Sequence, residues 1–74
     1  MKTGERIRLS RGISDYDDAI RLNAVWLPAY IGRAKARRAA GHRDLAIADY
    51  RKALQLSPGN SLAQGGLKAL GAEP

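Results

Sequence analysis

Between Arg43 and Leu56 the apolar positions fall three and four apart. Leu45, Ala46, Asp49, Tyr50, Ala53, Leu54 and Leu56 form one largely apolar stripe, with Arg51, Lys52 and Gln55 outside it. That period predicts an amphipathic helix over about 43–56. Pro58, Gly59 and Asn60 stop it, because proline cannot continue a helix and Gly and Asn supply a turn. Upstream, Pro28 to Ala40 reads as a second helix. Pro28 suits the first turn, where its missing N–H is no loss, and Gly41 suits the position just beyond the end. With only Gly41 and His42 between them, the two helices must double back as an antiparallel hairpin.

Two further helices flank this hairpin. One is expected from Asp15 to about Asn23, with Ser14 as its N-cap and Asp17 in the opening turn. The other is expected from Ser61 to Leu70, with Leu62, Leu67 and Leu70 on one side and Gly71 at its end. Its Gly65–Gly66 pair costs roughly 1 kcal/mol per glycine relative to alanine, so packing rather than propensity must hold it. Residues 1–12 read as a frayed or short helical lead-in between Gly4 and Gly12.

Residues 34 apart match. Tyr16 pairs with Tyr50, Ala19 with Ala53, Leu22 with Leu56, Asn23 with Ser57, and Ala29 with Ala63. A fixed period of this size is the mark of a stacked repeat, in which each unit buries its apolar face against the next. The chain then holds the second helix of one unit, a complete unit, and the first helix of a third.

Within the complete unit Tyr30, Ala34, Gly41, Ala46, Tyr50, Ala53 and Pro58 stand at the aromatic, small, turn and closing positions of a known pattern. The stretch AIADYRKALQLSPGN resembles the second helix and following turn of a tetratricopeptide repeat. DYDDAIRLNAVWLPAY is similar to the junction of two such repeats, with Ala24 in place of the expected proline, and GNSLAQGGLKALGA resembles a C-terminal capping helix. The sequence departs from the family at Arg33, where Leu is frequent, and at Arg37, where an aromatic is common. The resemblance implies an all-α fold, namely the antiparallel helical hairpins of a tetratricopeptide-like α-solenoid fragment. Residues 13–71 would form the repeat domain, with 1–12 as a basic lead-in and 72–74 as a tail. The initial Met and capping-like tail suggest an intact C-terminus.

Composition narrows the packing. Apolar residues make up 45% of the 74, but 13 are Ala, none is Phe, and only three Tyr and one Trp supply bulk. Small side chains at Ala34, Ala46 and Ala53 let helices approach closely, while Tyr16, Tyr30 and Tyr50 fill the remaining volume. Cysteine is absent, so neither disulfides nor thiolate metal ligation is available. No apolar run approaches the roughly 18 residues of a membrane span. A soluble, cytoplasmic chain without membrane insertion is expected.

The net charge of +6 is uneven: residues 1–11 carry +3, residues 12–32 carry −2, residues 33–43 carry +5, and the remainder sums to zero. A local field of this kind attracts acidic partners. The resemblance implies that the first helix of each repeat lines a concave groove for a partner peptide or helix. The groove candidates are Ile31, Lys35, Arg38 and His42. Lys35 and Arg38 share a face and, with Arg37 nearby, could grip a carboxylate; equally, Lys35, Arg37 and Arg38 could form a solvated or snorkelling face. Trp26, in the connection between helices, either covers the hairpin end or serves as a contact anchor.

Catalysis finds little support. His42 stands alone in a turn, Asp44 and Asp49 fall on different helix faces, and Asp15, Asp17 and Asp18 are expected in a first turn, where they stabilise the helix dipole. No cofactor and no metal is expected. Three function classes follow: a protein-binding module for a peptide or helix of acidic character, a homodimer in which a second copy replaces missing repeats, and, less favoured, a basic adaptor for RNA, DNA or another anionic partner. The last is weak because phosphate attraction follows charge rather than fold, and no aromatic platform interleaves with the cations.

Overall fold

The computed structural model describes residues 2–72, with side chains from Gly12 onward. Four helices follow one another: α1 Lys2–Leu22, α2 Leu27–Ala39, α3 Arg43–Leu56 and α4 Ser61–Ala69. Three of them lie within one residue of the spans expected from apolar periodicity and terminators. The fourth does not. Helix α1 begins at Lys2 and runs through Gly12 and Ser14 without interruption. Ser14 is therefore an interior residue, not an N-cap, and Asp15, Asp17 and Asp18 lie in the C-terminal half of the helix. Four N–H groups need partners only at a true helix start, and Ser14 does not stand at one. Of the tail expected over 72–74, Glu73 and Pro74 lie outside the described residues, as does Met1.

The helix ends explain how the chain turns. After α2 the N–H of Gly41 donates to the Arg38 carbonyl at 3.0 Å and that of His42 to the Arg37 carbonyl at 2.8 Å. Gly41 takes φ +84°. This is the paired-bond closure in which the residue past the helix adopts left-handed geometry, which glycine does without a Cβ penalty. The same closure recurs after α4, where Gly71 at φ +70° donates to Lys68 and Ala72 donates to Leu67. Helix α4 starts 34 residues after α2, yet Gly71 follows Gly41 by only 30, so α4 is one turn shorter. At this early end the Arg43 guanidinium of α3 donates to the Leu70 carbonyl at 3.1 and 2.6 Å, occupying an acceptor the helix leaves open. The start of α4 is capped by Asn60, whose side-chain oxygen accepts from the Ala63 N–H at 2.8 Å.

Each helix packs on its neighbours in sequence, and α2 also touches α4. The core is thin: Tyr30, Ile31, Ala34, Ile47, Tyr50, Ala53, Ala63 and Leu67 are buried, with Ile20, Leu27, Leu54, Leu56 and Leu70 partly covered around them. Tyr30 and Tyr50 are internal, as their period indicates. The Tyr30 hydroxyl is paired with the Ala24 carbonyl at 2.8 Å, which fastens α2 to the connection that precedes it. Two residues of the apolar stripes behave differently from expectation: Leu45 and Leu62 are about half exposed. Neither faces the shared core, because each stripe is wider than the contact it makes.

The 34-residue period has a direct packing meaning. A Cβ placed on Gly32 of α2 would run into the Tyr16 ring, and a Cβ on Gly66 of α4 would run into the Tyr50 ring. Both glycines sit one period apart, as do both tyrosines. Gly65, by contrast, would meet nothing within 4 Å. Tyr16 is half-buried and can swing aside, whereas Tyr50 is only 2% exposed. Gly65→Ala should therefore stabilise the chain by about 1 kcal/mol through helix propensity alone. Gly66→Ala should lose that gain to overpacking, which typically costs about 1–3 kcal/mol, with Gly32→Ala between the two. Urea denaturation of the three variants checks the order; equal effects at 65 and 66 would show that the ring contact is not limiting.

Candidate functional site: a groove on α2 and α4

The cations of α2 do not form one face. Arg33 turns inward, where its Nε and Nη2 donate to both carboxylate oxygens of Asp49 at 3.0 and 2.7 Å and its Nη1 donates to Asp17 at 2.6 Å. Arg37 also donates to Asp49, at 2.9 Å. Asp49 is 3% exposed. Its place in the apolar stripe of α3 is thus a buried carboxylate held by two guanidinium groups. Arg33, stacked 5.7 Å from the centre of the Tyr30 ring, joins α1, α2 and α3. Its hydrogen bonds to Asp49 raise its proton affinity above the usual arginine value against the opposing effect of burial. The stability linked to that shift is present below the ordinary arginine range and lost only above it, so the cation is permanent at any working pH.

This pairing changes the charge reading. Of the cations in residues 33–43, Arg33 and Arg37 are neutralised internally and Arg43 caps α4, which leaves Lys35 and Arg38 exposed on α2. Arg37 does not join them as a solvent-facing grip. Where the family places Leu and an aromatic, this chain places two arginines and supplies the buried acid that satisfies them. Both departures are visible in the sequence, but their link to Asp49 is made only by the hairpin that brings α2 and α3 together. The available signal was an acid inside an otherwise apolar stripe, since a carboxylate is almost never fully buried unless paired.

The remaining α2 residues line a groove. Leu27, Pro28, Ile31, Gly32 and Lys35 of α2, Tyr16 of α1, and Asn60 and Leu62 at the start of α4 enclose about 340 Å³, at the small end of the range for binding pockets. Ile31 is buried at its base, Lys35 is exposed on its wall, and Leu62 stands half exposed opposite. Arg38 and His42 are both exposed but lie outside the lining; His42 occupies the turn before α3. Trp26 precedes α2 and is 48% exposed, beside the more exposed Val25 and Leu22. Tyr16, Leu27 and Leu62 also line the groove, and nothing in their spacing singles them out for it. Among the described residues no helix is long and apolar enough to cross a membrane.

Antiparallel helices joined by short turns, with matching residues and matching ring-to-glycine contacts 34 apart, define an all-α helical-repeat protein. The sequence profile of the tetratricopeptide repeat matches residues 28–60, which span α2, α3 and the turn to α4. Over those residues the chain is similar to a tetratricopeptide repeat, and repeats of that kind generally mediate protein–protein interaction. No curated protein and no solved structure matches the chain significantly.

The ion cluster makes a sharp stability prediction. Asp49→Ala leaves Arg37 without its carboxylate and Arg33 with Asp17 alone, a loss of about 3–5 kcal/mol for breaking a buried pair. A core of this size supplies about that much in total, so circular dichroism should show the variant largely unfolded. Replacing the cluster as a whole, with Arg33→Leu, Arg37→Phe and Asp49→Leu together, should keep the helices and leave the melting temperature unchanged or raised. A triple variant less stable than Asp49→Ala would contradict this account.

Proposed function

We propose that the chain is a protein-interaction module whose groove on α2 and α4 receives a short segment of a partner, either extended or helical. The observation that carries this reading is the composition of the groove: an apolar floor of Ile31 and Leu27, an apolar far wall at Leu62, and a single exposed cation, Lys35. Such a surface suits an apolar side chain followed within one turn by a carboxylate, with Arg38 extending the positive field beyond the groove. Trp26 and Val25 add exposed apolar surface of the sort that anchors interfaces.

Self-association is a second reading, and a specific observation favours it. Helix α1 corresponds to α3 by the 34-residue period, and among the described residues no helix packs on its outer side as α2 packs on α3. The basic-adaptor reading is weakened by the inward placement of Arg33 and Arg37, because two of the cations that suggested it already have carboxylate partners.

The groove reading is tested by titrating the chain with a panel of short peptides that combine leucine with aspartate or glutamate, followed by amide chemical shifts. Shifts should centre on residues 27–35 and 60–62, and Lys35→Glu should weaken binding at least tenfold while Arg38→Glu has a smaller effect. Binding that survives Lys35→Glu, or shifts confined to other residues, would remove the groove as the site.

A further inference from the structure

Helix α1 repeats α3 residue for residue in position but not in environment. On α3 the row Ala46, Asp49, Ala53 and Leu56 packs on α2, and its first three members are buried. One period earlier the same row reads Gly12, Asp15, Ala19 and Leu22. There Asp15 is exposed, Ala19 is only half-buried and Leu22 is 89% exposed. Tyr16, Asp17 and Ile20 belong to the adjoining face, which does meet α2 through Gly32 and Arg33. Among the described residues nothing covers the row from Gly12 to Leu22, a face of the kind that packs on a helix in α3.

We infer that this face is covered by a second copy of the chain, the two α1 helices packing antiparallel about a two-fold axis at Gly12. The inference rests on the self-association reading and gives it an interface. Three observations select a second copy. Gly12 stands ten residues from each end of Lys2–Leu22, and a Cβ there would meet nothing within 4 Å. Its protomer therefore has no packing need for glycine in mid-helix, whereas two helices crossing at that point do, since glycine allows the closest backbone approach. Charge is the second. Residues 2–11 carry a formal +3 and residues 13–22 carry −2, so antiparallel pairing sets the basic half of each helix against the acidic half of the other.

The third observation comes from Asp15. Asp17 is taken by Arg33 and Asp18 by Arg21, while among the described residues no ion pair includes Asp15. Its counterpart Asp49 receives two arginines from the helix packed on it. In the antiparallel pair the segment opposite Asp15 is the arginine-bearing stretch around Arg8 of the second copy, one turn before Gly12 in the helical row. Helix α1, 21 residues long, spans about 30 Å, and an interface of that length belongs to the transient class below about 1,200 Å². Association is therefore expected at micromolar concentration.

Sedimentation velocity of the full chain across the micromolar range tests this. The chain should pass from monomer to dimer. Gly12→Leu should weaken dimerisation at least tenfold while circular dichroism shows helicity retained or increased, which separates lost pairing from lost folding. Asp15→Arg should weaken it similarly, and the exchange Arg8→Asp with Asp15→Arg should restore it to within a few-fold of the parent. A monomer at every concentration overturns both the interface and self-association itself. A dimer indifferent to Gly12→Leu and Asp15→Arg overturns this interface and leaves self-association standing. A monomer that instead captures a basic amphipathic helical peptide, in a manner lost with Asp15→Arg, would assign the face to a different protein and overturn the second copy.

Discussion

Two tyrosine rings pressed against helix backbone set the spacing of this structure. Tyr16 lies over Gly32 and Tyr50 over Gly66, and each pair fixes how closely one helical unit meets the next. With no phenylalanine and few large aliphatic residues available, the chain fills space with a ring from one helix and removes the side chain from the facing helix. Alanines at 34, 46, 53 and 63, all fully buried, complete the same economy of volume. The groove follows from it, because Tyr16 and Gly32, which set the first of these contacts, are also among its lining residues.

Much of this was legible in the sequence. Pro28, Gly41, Pro58 and Gly71 marked the ends of α2, α3 and α4 because proline and glycine act through backbone geometry, which is local. The 34-residue match placed Tyr50 and Ala53 inside, and the family pattern placed Ala46 there. Helix α1 was only half legible. Gly4 and Gly12 look like breakers, and Ser14 looks like a cap, yet glycine in a helix costs only about 1 kcal/mol and continuous helix is observed. Propensity alone could not decide between a cap and an interior serine.

The groove was legible by element and not by residue. Ile31 and Lys35, which the family resemblance suggests for a groove, line this one, but Tyr16 and Leu62 reach the same space from other helices, and contacts of that kind depend on tertiary approach. The pairing of Asp49 with Arg33 and Arg37 was hidden for the same reason. Residues 12 and 16 positions apart are joined by a hairpin turn that brings them face to face, and charge counting along the chain treats them as separate. Once the pairs are formed, the strongest local charge excess in the sequence becomes in part a neutral interior.

The buried cluster also bears on how such a sequence can change over generations. Leu, an aromatic and an apolar residue at positions 33, 37 and 49 form one self-consistent solution, and two arginines with an aspartate form another. Removing Asp49 first strands charge in the interior, in a chain with little stability to spare, whereas replacing either arginine alone leaves the other on the carboxylate. The effect of a change at one of the three sites therefore depends on what stands at the other two. The ionic arrangement is costliest to leave through Asp49, whether or not it makes the repeat more stable.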